Sequence, residues 1–425
     1  MTKHQTLTGA IIALIFLIAF AALTKTRPES WNDISRIAGI ESLVERGTWA
    51  IDDSPWVELT EDKIFLNGQF YSDKMPMLSF LGVAPYAVLR YALGASLAPD
   101  CRVCAYPWLS AILVALPAAV MLWLFYDLAR RNNAPVGIAL IGTLALGLGT
   151  MIFPYALVFN NHVPTAASVF ASYYLLTRAP SSRGALLTAG LLATLAVAID
   201  VLSAIIALSL VGIALARARA QFAYFVIGAA IPIVVTAILD YQIAQTLLPP
   251  YFLPEGYNYP GAAAAVTVGG LGTPDDYAAY AFRMFLGGKG LFAYNPLLLF
   301  AVAGATVVAL NRKHTLWIEG IATAANFVVW SLFLATQTGN YGGTAYGERW
   351  FIVAIPILFS FIFFVPPLSA ASWKNAAWLL FLPLLALSIF SGLQGAQAPW
   401  QDWLPPLQVT RSNQFPIFGF RWNVK

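Results

Sequence analysis

Asp33 and Arg36 lie three residues apart in a stretch that reads as a short helix over residues 32–47. Asn32 is placed to cap it, Ile34, Ile37, Ile40, Leu43 and Val44 give it an apolar side, and Gly47 ends it. Helical spacing sets Asp33 and Arg36 side by side. The position of Asp33 in the first turn favours its ionised form against the helix dipole. An ionised carboxylate can act as a base. The same two residues also suit a surface helix with a capping acid and an i,i+3 ion pair.

Further candidates follow along the chain. Asn67-Gly68-Gln69-Phe70-Tyr71-Ser72-Asp73-Lys74-Met75-Pro76-Met77 reads as a turn that offers Asp73 and Lys74. His162 begins an apolar run after Asn160-Asn161, where it can meet a ligand or simply cap a helix. Asp200 stands between two apolar runs with no partner nearby in sequence; a carboxylate is expensive in lipid, and a functional role competes with an ordinary turn. Glu348-Arg349 follows a glycine-rich turn and abuts an apolar run. Arg349, Lys289 and Arg283 are cations able to grip an anion, and Arg offers a bidentate fork. For Arg349 the competing reading is snorkelling at a helix end. Cys101-Arg102-Val103-Cys104 is one pair, too few for a four-ligand zinc site; a local disulfide and two separate thiols both remain open.

The elements that carry these groups belong in lipid. The chain has 425 residues, 59% hydrophobic and 10% charged, and its mean hydropathy is +0.70. That leaves too little polar surface for a soluble globule. The formal charge of +4 says nothing for nucleic acid, because membrane proteins carry excess Lys and Arg in cytoplasmic loops. The reading is an all-α polytopic membrane protein with about eleven transmembrane helices. Spans fall near residues 7–24, 105–127, 135–157, 163–178, 184–199, 201–216, 221–239, 291–310, 315–335, 350–366 and 376–393. The first reads as an uncleaved signal anchor, although Ala19-Phe20-Ala21-Ala22 would also suit a cleavage site. The run 76–98 contains Pro85 and Arg90 and reads as a re-entrant or interface helix.

With that run excluded, Lys3, Arg130, Arg131, Arg178, Arg183, Arg217, Arg219, Arg312, Lys313 and Lys374 share one side with the N-terminus, which is then cytoplasmic. Asp33, Asp52, Asp53, Asp62, Asp73, Asp200, Asp240, Asp275, Asp276 and Glu348 fall opposite. A single transmembrane domain results, with extracytoplasmic segments at 25–104, 240–290 and 394–425, and cytoplasmic loops too short for a nucleotide-binding domain. The aromatic segment 249–260 and the tail with Trp400, Trp403, Phe415, Phe418, Phe420 and Trp422 suit sugar stacking or interface anchoring.

Arg46-Gly47-Thr48-Trp49-Ala50-Ile51-Asp52 and Gly68-Gln69-Phe70-Tyr71-Ser72-Asp73-Lys74-Met75-Pro76 resemble the first external loop of the GT-C glycosyltransferases, specifically the protein O-mannosyltransferase and aminoarabinose transferase group (family 39-like). That group carries an Asp-Glu-x-Arg-Tyr helix and a Lys-Pro-Pro-Leu turn. Here Ile34 stands in place of Glu, and Met75 in place of the first Pro. Gly290-Leu291-Phe292-Ala293-Tyr294-Asn295-Pro296 and Gly342-Gly343-Thr344-Ala345-Tyr346-Gly347-Glu348-Arg349 resemble uncharacterised members.

The resemblance implies short juxtamembrane helices in the first extracytoplasmic loop, a catalytic carboxylate there, a polyprenyl-phosphate-linked sugar as donor and an acceptor arriving from outside. Asp33 takes the catalytic position and Lys74 the carrier-phosphate position, with Arg36 orienting one of them. Arg349, His162, Asp73, Lys289 and Glu348 complete the candidate substrate-binding set. The leaving phosphate is already a stable anion, so a base and cations suffice; a single displacement with one carboxylate inverts, whereas retention needs a second carboxylate, for which Asp73 or Glu348 could serve. The acidic loops could supply oxygen ligands to a divalent cation, but no spacing compels one. A transporter or flippase of a lipid-linked sugar, and an O-antigen ligase or polymerase using diphosphate-linked glycans, are the competing functions; broken helices paired between halves, which a transporter calls for, do not stand out. The implied location is the cytoplasmic (inner) membrane.

Overall fold

The structure, a computed structural model, describes residues 3–260, 262, 271–365 and 376–401. Lys374, Trp403, Phe415, Phe418, Phe420 and Trp422 lie outside the described residues. Helices dominate: α1 (Lys3–Leu23), α2 (Trp31–Arg46), α3 (Met77–Leu93), α4 (Tyr106–Arg131), α5 (Val136–Leu148), α6 (His162–Arg178), α7 (Arg183–Ile199), α8 (Ala204–Ala218), α9 (Phe222–Ala244), α10 (Tyr277–Phe285), α11 (Leu298–Leu310), α12 (Trp317–Gln337), α13 (Ile355–Phe364) and α14 (Ala376–Gln397).

Among the described residues, the helical runs Tyr106–Arg131, Val201–Ala244, Trp317–Gln337 and Ala377–Gln397 are long and apolar enough to cross a membrane. Six shorter apolar helices accompany them. The Val201–Ala244 run is two helices, α8 and α9, parted at Ala218 (φ −140°, ψ 36°) and the 3₁₀ turn Arg219–Gln221, where the sequence placed a break between spans. The segment expected as a span at 350–366 is less regular, a 3₁₀ turn Arg349–Val353 followed by α13, itself part α and part 3₁₀.

The chain divides into two compact units: Met1–Ala13, Met121–Tyr155 and Gly272–Lys425 form one, and Leu14–Val120 with Ala156–Leu271 the other. In the second unit α7 and α9 touch backbone to backbone. A Cβ on Gly190 would stand 1.9 Å from the Phe225 carbonyl oxygen, and one on Gly228 would stand 1.9 Å from that of Leu187. Only glycine permits this approach, the small-residue packing that membrane helices use where hydrophobic force between them is lacking.

The run 76–98 forms α3, which lies along α2. Arg90, awkward in an apolar stretch, makes an ion pair with Glu45 of α2 (Nε to Oε1, 3.1 Å). Ser79 Oγ donates to the Arg36 carbonyl at 3.2 Å and Tyr91 Oη to that of Val44 at 2.8 Å. Phe80, Leu81, Val88, Tyr91 and Leu93 of α3 are exposed, so the helix keeps an apolar surface beside its polar contacts to α2.

The all-helical reading missed one hairpin, β1 (Lys63–Leu66) antiparallel to β2 (Gln69–Ser72), with Leu66 opposite Gln69. Its cause is local. Asn67 and Gly68 have φ of 53° and 82°, the two positive values that a two-residue hairpin turn demands and that Asn-Gly tolerates.

Candidate active site

Asp33 is held from every side. Ser30, extended at φ −139° and ψ 158°, is the residue that caps α2: its Oγ accepts from the Asp33 N–H at 3.3 Å, and Asp33 Oδ1 accepts from the Ser30 N–H at 2.8 Å. Ser30 Oγ also lies 2.9 Å from Oδ1, and the Glu29 N–H donates to Oδ2 at 3.1 Å. This reciprocal box replaces the cap expected at Asn32, which sits inside the first turn. Tyr106, at the start of α4, donates its hydroxyl to Asp33 Oδ2 at 3.0 Å and accepts from the Phe159 N–H at 3.1 Å.

The Asp33 side chain is fully buried. Loss of water pushes its pKa up to about 6, against the pull of the donors from Glu29, Ser30 and Tyr106. Burial thus outweighs the helix terminus that favours the ionised form, and a carboxyl at about 6 still ionises at neutral pH. The i,i+3 ion pair offered by the competing surface-helix reading is not among the contacts of the described residues. Arg36 Nη1 turns back along its own helix to the Asn32 carbonyl (2.8 Å) and Asn32 Oδ1 (2.6 Å), because the capping box already occupies the Asp33 carboxylate.

Lys74 stands between two carboxylates, Nζ lying 2.8 Å from Asp62 Oδ2 and 3.0 Å from Asp73 Oδ1. Tyr257 Oη reaches Asp73 Oδ2 at 3.3 Å, and the Tyr251 ring lies 5.8 Å from Nζ. Burial pushes the Asp73 pKa up to about 6; Lys74 opposes this, the Asp62 charge reinforces it, and Arg36 draws it down. Burial and the Asp73 charge in turn push the Tyr257 phenol well up. Ser35 ties this cluster to α2, its Oγ donating to the Asp62 carbonyl at 2.5 Å and lying 2.6 Å from Ser72 Oγ. Ser35 and Arg36 thus tie the Asp62–Asp73–Lys74 cluster to α2, the helix that carries Asp33, in one fabric, with no contact among the described residues joining Asp33 itself to Asp73 or Lys74. Asp62, to which sequence reasoning gave no role, is the nearest anion to Lys74.

His162 and Asp200 are partners. His162 Nδ1 lies 3.0 Å from Asp200 Oδ2, which also accepts from Asn161 Nδ2 at 2.8 Å. Asp200, without a partner in sequence, acquires these because α6 begins where α7 ends. Its other oxygen accepts from the Leu202 N–H at 3.3 Å.

In the other unit, Glu348 is fully buried and, among the described residues, neither carboxyl oxygen has a hydrogen-bond partner. Burial pushes its pKa up to about 8, although the charges of Lys289 and Arg349 pull it down. The Arg349 guanidinium lies 5.0 Å from the Trp400 ring centroid, so this arginine is seated on an aromatic surface. Lys289 Nζ donates to the carbonyls of Gly343 (2.9 Å) and Ala345 (2.7 Å), fixing the glycine turn before Glu348.

Cys101 and Cys104 form a disulfide, which decides the question left open in sequence. Among the described residues no group of three or more His, Cys, Asp or Glu side chains is placed to hold a metal ion. Tyr106 and Trp400 are the contacts sequence reading passed over as partners of charged groups. The only signal for Tyr106 was a phenol at the end of a span.

The polytopic helical fold is shared with solved structures of other proteins. Among solved structures, ArnT from Cupriavidus metallidurans bound to undecaprenyl phosphate is similar to the chain, with a TM-score of 0.56 and 16% identity over 92% of this chain and 70% of that one. The apo state of the same enzyme gives 0.56 and 15% over 88% and 61%. The archaeal oligosaccharyltransferase AglB from Archaeoglobus fulgidus, in complex with an inhibitory peptide and a dolichol-phosphate, gives 0.46 and 12% over 91% and 56%. No family model and no curated protein matches the chain.

Proposed function

We propose that the chain is a membrane glycosyltransferase that moves a sugar from a polyprenyl-phosphate carrier to an acceptor hydroxyl on the extracytoplasmic side, with Asp33 as the base. The observation that carries this reading is a buried carboxylate, raised to about 6, that already receives a hydroxyl hydrogen bond, from Tyr106 at 3.0 Å. A base with a pKa close to the working pH is both ionised and able to take a proton. In turnover the acceptor hydroxyl supplies that hydrogen bond in place of Tyr106.

The acceptor oxygen attacks the anomeric carbon as Asp33 removes its proton, and the bond from that carbon to the carrier oxygen breaks. The electron pair leaves on the carrier phosphate, and configuration inverts. Lys74 with Arg36 provides positive charge in the same fabric, and the phosphate displaces Asp62 from Lys74 on binding. The shared fold with ArnT, solved with undecaprenyl phosphate, supports a carrier of this kind. The Cys101–Cys104 disulfide supports an oxidising compartment for the loop, the N-terminus lying in the cytoplasm of an inner membrane.

The test is mass spectrometry of lipid-linked sugars and surface glycans in a deletion strain. A polyprenyl-phosphate sugar accumulates and one glycan loses a residue. Flux of the sugar-lipid across proteoliposomes that hold the protein, with no chemical change in the lipid, would instead mark a flippase.

A further inference from the structure

The Glu348–Arg349 pair holds more unsatisfied polarity than packing requires. Among the described residues, both Glu348 carboxyl oxygens, Arg349 Nε and Trp400 Nε1 are buried without hydrogen-bond partners. Native interiors leave few such atoms, and each calls for a ligand, water or ion. Gly342 and Gly343, at φ of 75° and 76°, run close by: a Cβ on Gly342 would stand 3.2 Å from Glu348 Oε1. A side chain there is strained, and the glycines leave the pair unobstructed by Cβ atoms.

The mixture of orphan atoms restricts the ligand. A simple anion would satisfy Arg349 and Trp400 but face the oxygens of Glu348. A simple cation would meet Glu348 but leave the two N–H donors empty and confront Arg349. A hydroxyl donates and accepts at once, so a polyhydroxylated ring serves acceptor and donors together.

We propose that Glu348, Arg349 and Trp400 form a saccharide-binding subsite, taking ring hydroxyls of the transferred sugar or of a glycan acceptor. The subsite rests on the glycosyltransferase reading for its place in catalysis and on its own geometry for binding.

The test uses the full chain in nanodiscs with three probes: bare undecaprenyl phosphate, undecaprenyl phosphate carrying a hexose, and free methyl hexosides. Glu348→Leu removes both oxygens, and Glu348→Gln, which keeps the shape while removing the charge that faces Lys289 and Arg349, keeps the test decisive should the leucine variant fail to fold. The expected result is that wild type binds the glycosylated carrier, or the free hexoside, about tenfold or more tighter than Glu348→Leu does, with bare-carrier binding unchanged. Loss on the glycosylated carrier alone assigns the donor sugar; loss on the free hexoside assigns the acceptor. Glu348→Gln, which keeps an acceptor and a donor, should retain part of the effect. Equal saccharide binding by wild type and Glu348→Leu, or no saccharide binding by wild type, overturns the subsite. If bare carrier binds in that case, the glycosyltransferase reading survives; if no carrier form binds, both fall.

Discussion

Tyr106 donates its hydroxyl to Asp33 Oδ2 at 3.0 Å while accepting the Phe159 N–H, so one phenol joins α2 to the start of a membrane span. The bond stabilises the ionised carboxylate against burial. Removing it in Tyr106→Phe raises the Asp33 pKa. A base works only when deprotonated, so the acid limb of the kcat/KM profile should move to higher pH, by about one unit. An unmoved limb would separate Asp33 from the titration that governs turnover.

Ser30→Ala removes the Oγ half of the capping box and the hydroxyl bond to Asp33 Oδ1, leaving the Ser30 N–H bond to that oxygen. Thermal unfolding in detergent should register a loss of about 1 kcal/mol. The pH limb should shift in the same direction as for Tyr106→Phe, because Asp33 loses a second donor.

Lys74→Met leaves Asp73 buried beside Asp62 with only Arg36 to offset their charge. The expected cost is about 3 kcal/mol, the scale of breaking a buried ion pair from one side. Asp73→Asn in the same chain should restore a good part of it. Binding of undecaprenyl phosphate should stay weak in the double variant, since the cation is still missing. Recovery of carrier binding along with stability would limit Lys74 to a structural role.

Gly228→Ala forces α7 and α9 apart, because the added methyl meets the Leu187 carbonyl oxygen. Stability should fall by about 1–3 kcal/mol. Gly212→Ala, in α8 with nothing within 4 Å of the added atom, should be neutral or stabilising by the ordinary helix preference for alanine. Melting midpoints of the two variants make the comparison.

Hydropathy made the membrane class legible, but the polar partner that Arg90 needed was not legible. Arg90 argued against a span, and its ion pair with Glu45 on α2 is what a charged residue in an apolar run needs. The hairpin was missed despite Asn67-Gly68 because its strands are four residues each, too short to announce a period. At the site, residue types were readable and pairings were not. Asp33 and Arg36 have the spacing to touch, yet the three-residue reach from Ser30 to Asp33 wins, since a cap satisfies backbone N–H groups that would otherwise stay unbonded. Tyr106, 73 positions from Asp33, and Asp200, 38 from His162, depend on tertiary packing that no local pattern encodes.

The central claim is that Asp33 is the base for transfer from a polyprenyl-phosphate sugar. Its most direct test is single-turnover transfer by Asp33→Asn, in proteoliposomes loaded with the sugar-lipid that accumulates in the deletion strain. The account predicts a rate at least about a hundredfold below wild type, with undecaprenyl phosphate binding retained. Transfer at the wild-type rate by a folded Asp33→Asn protein would contradict it.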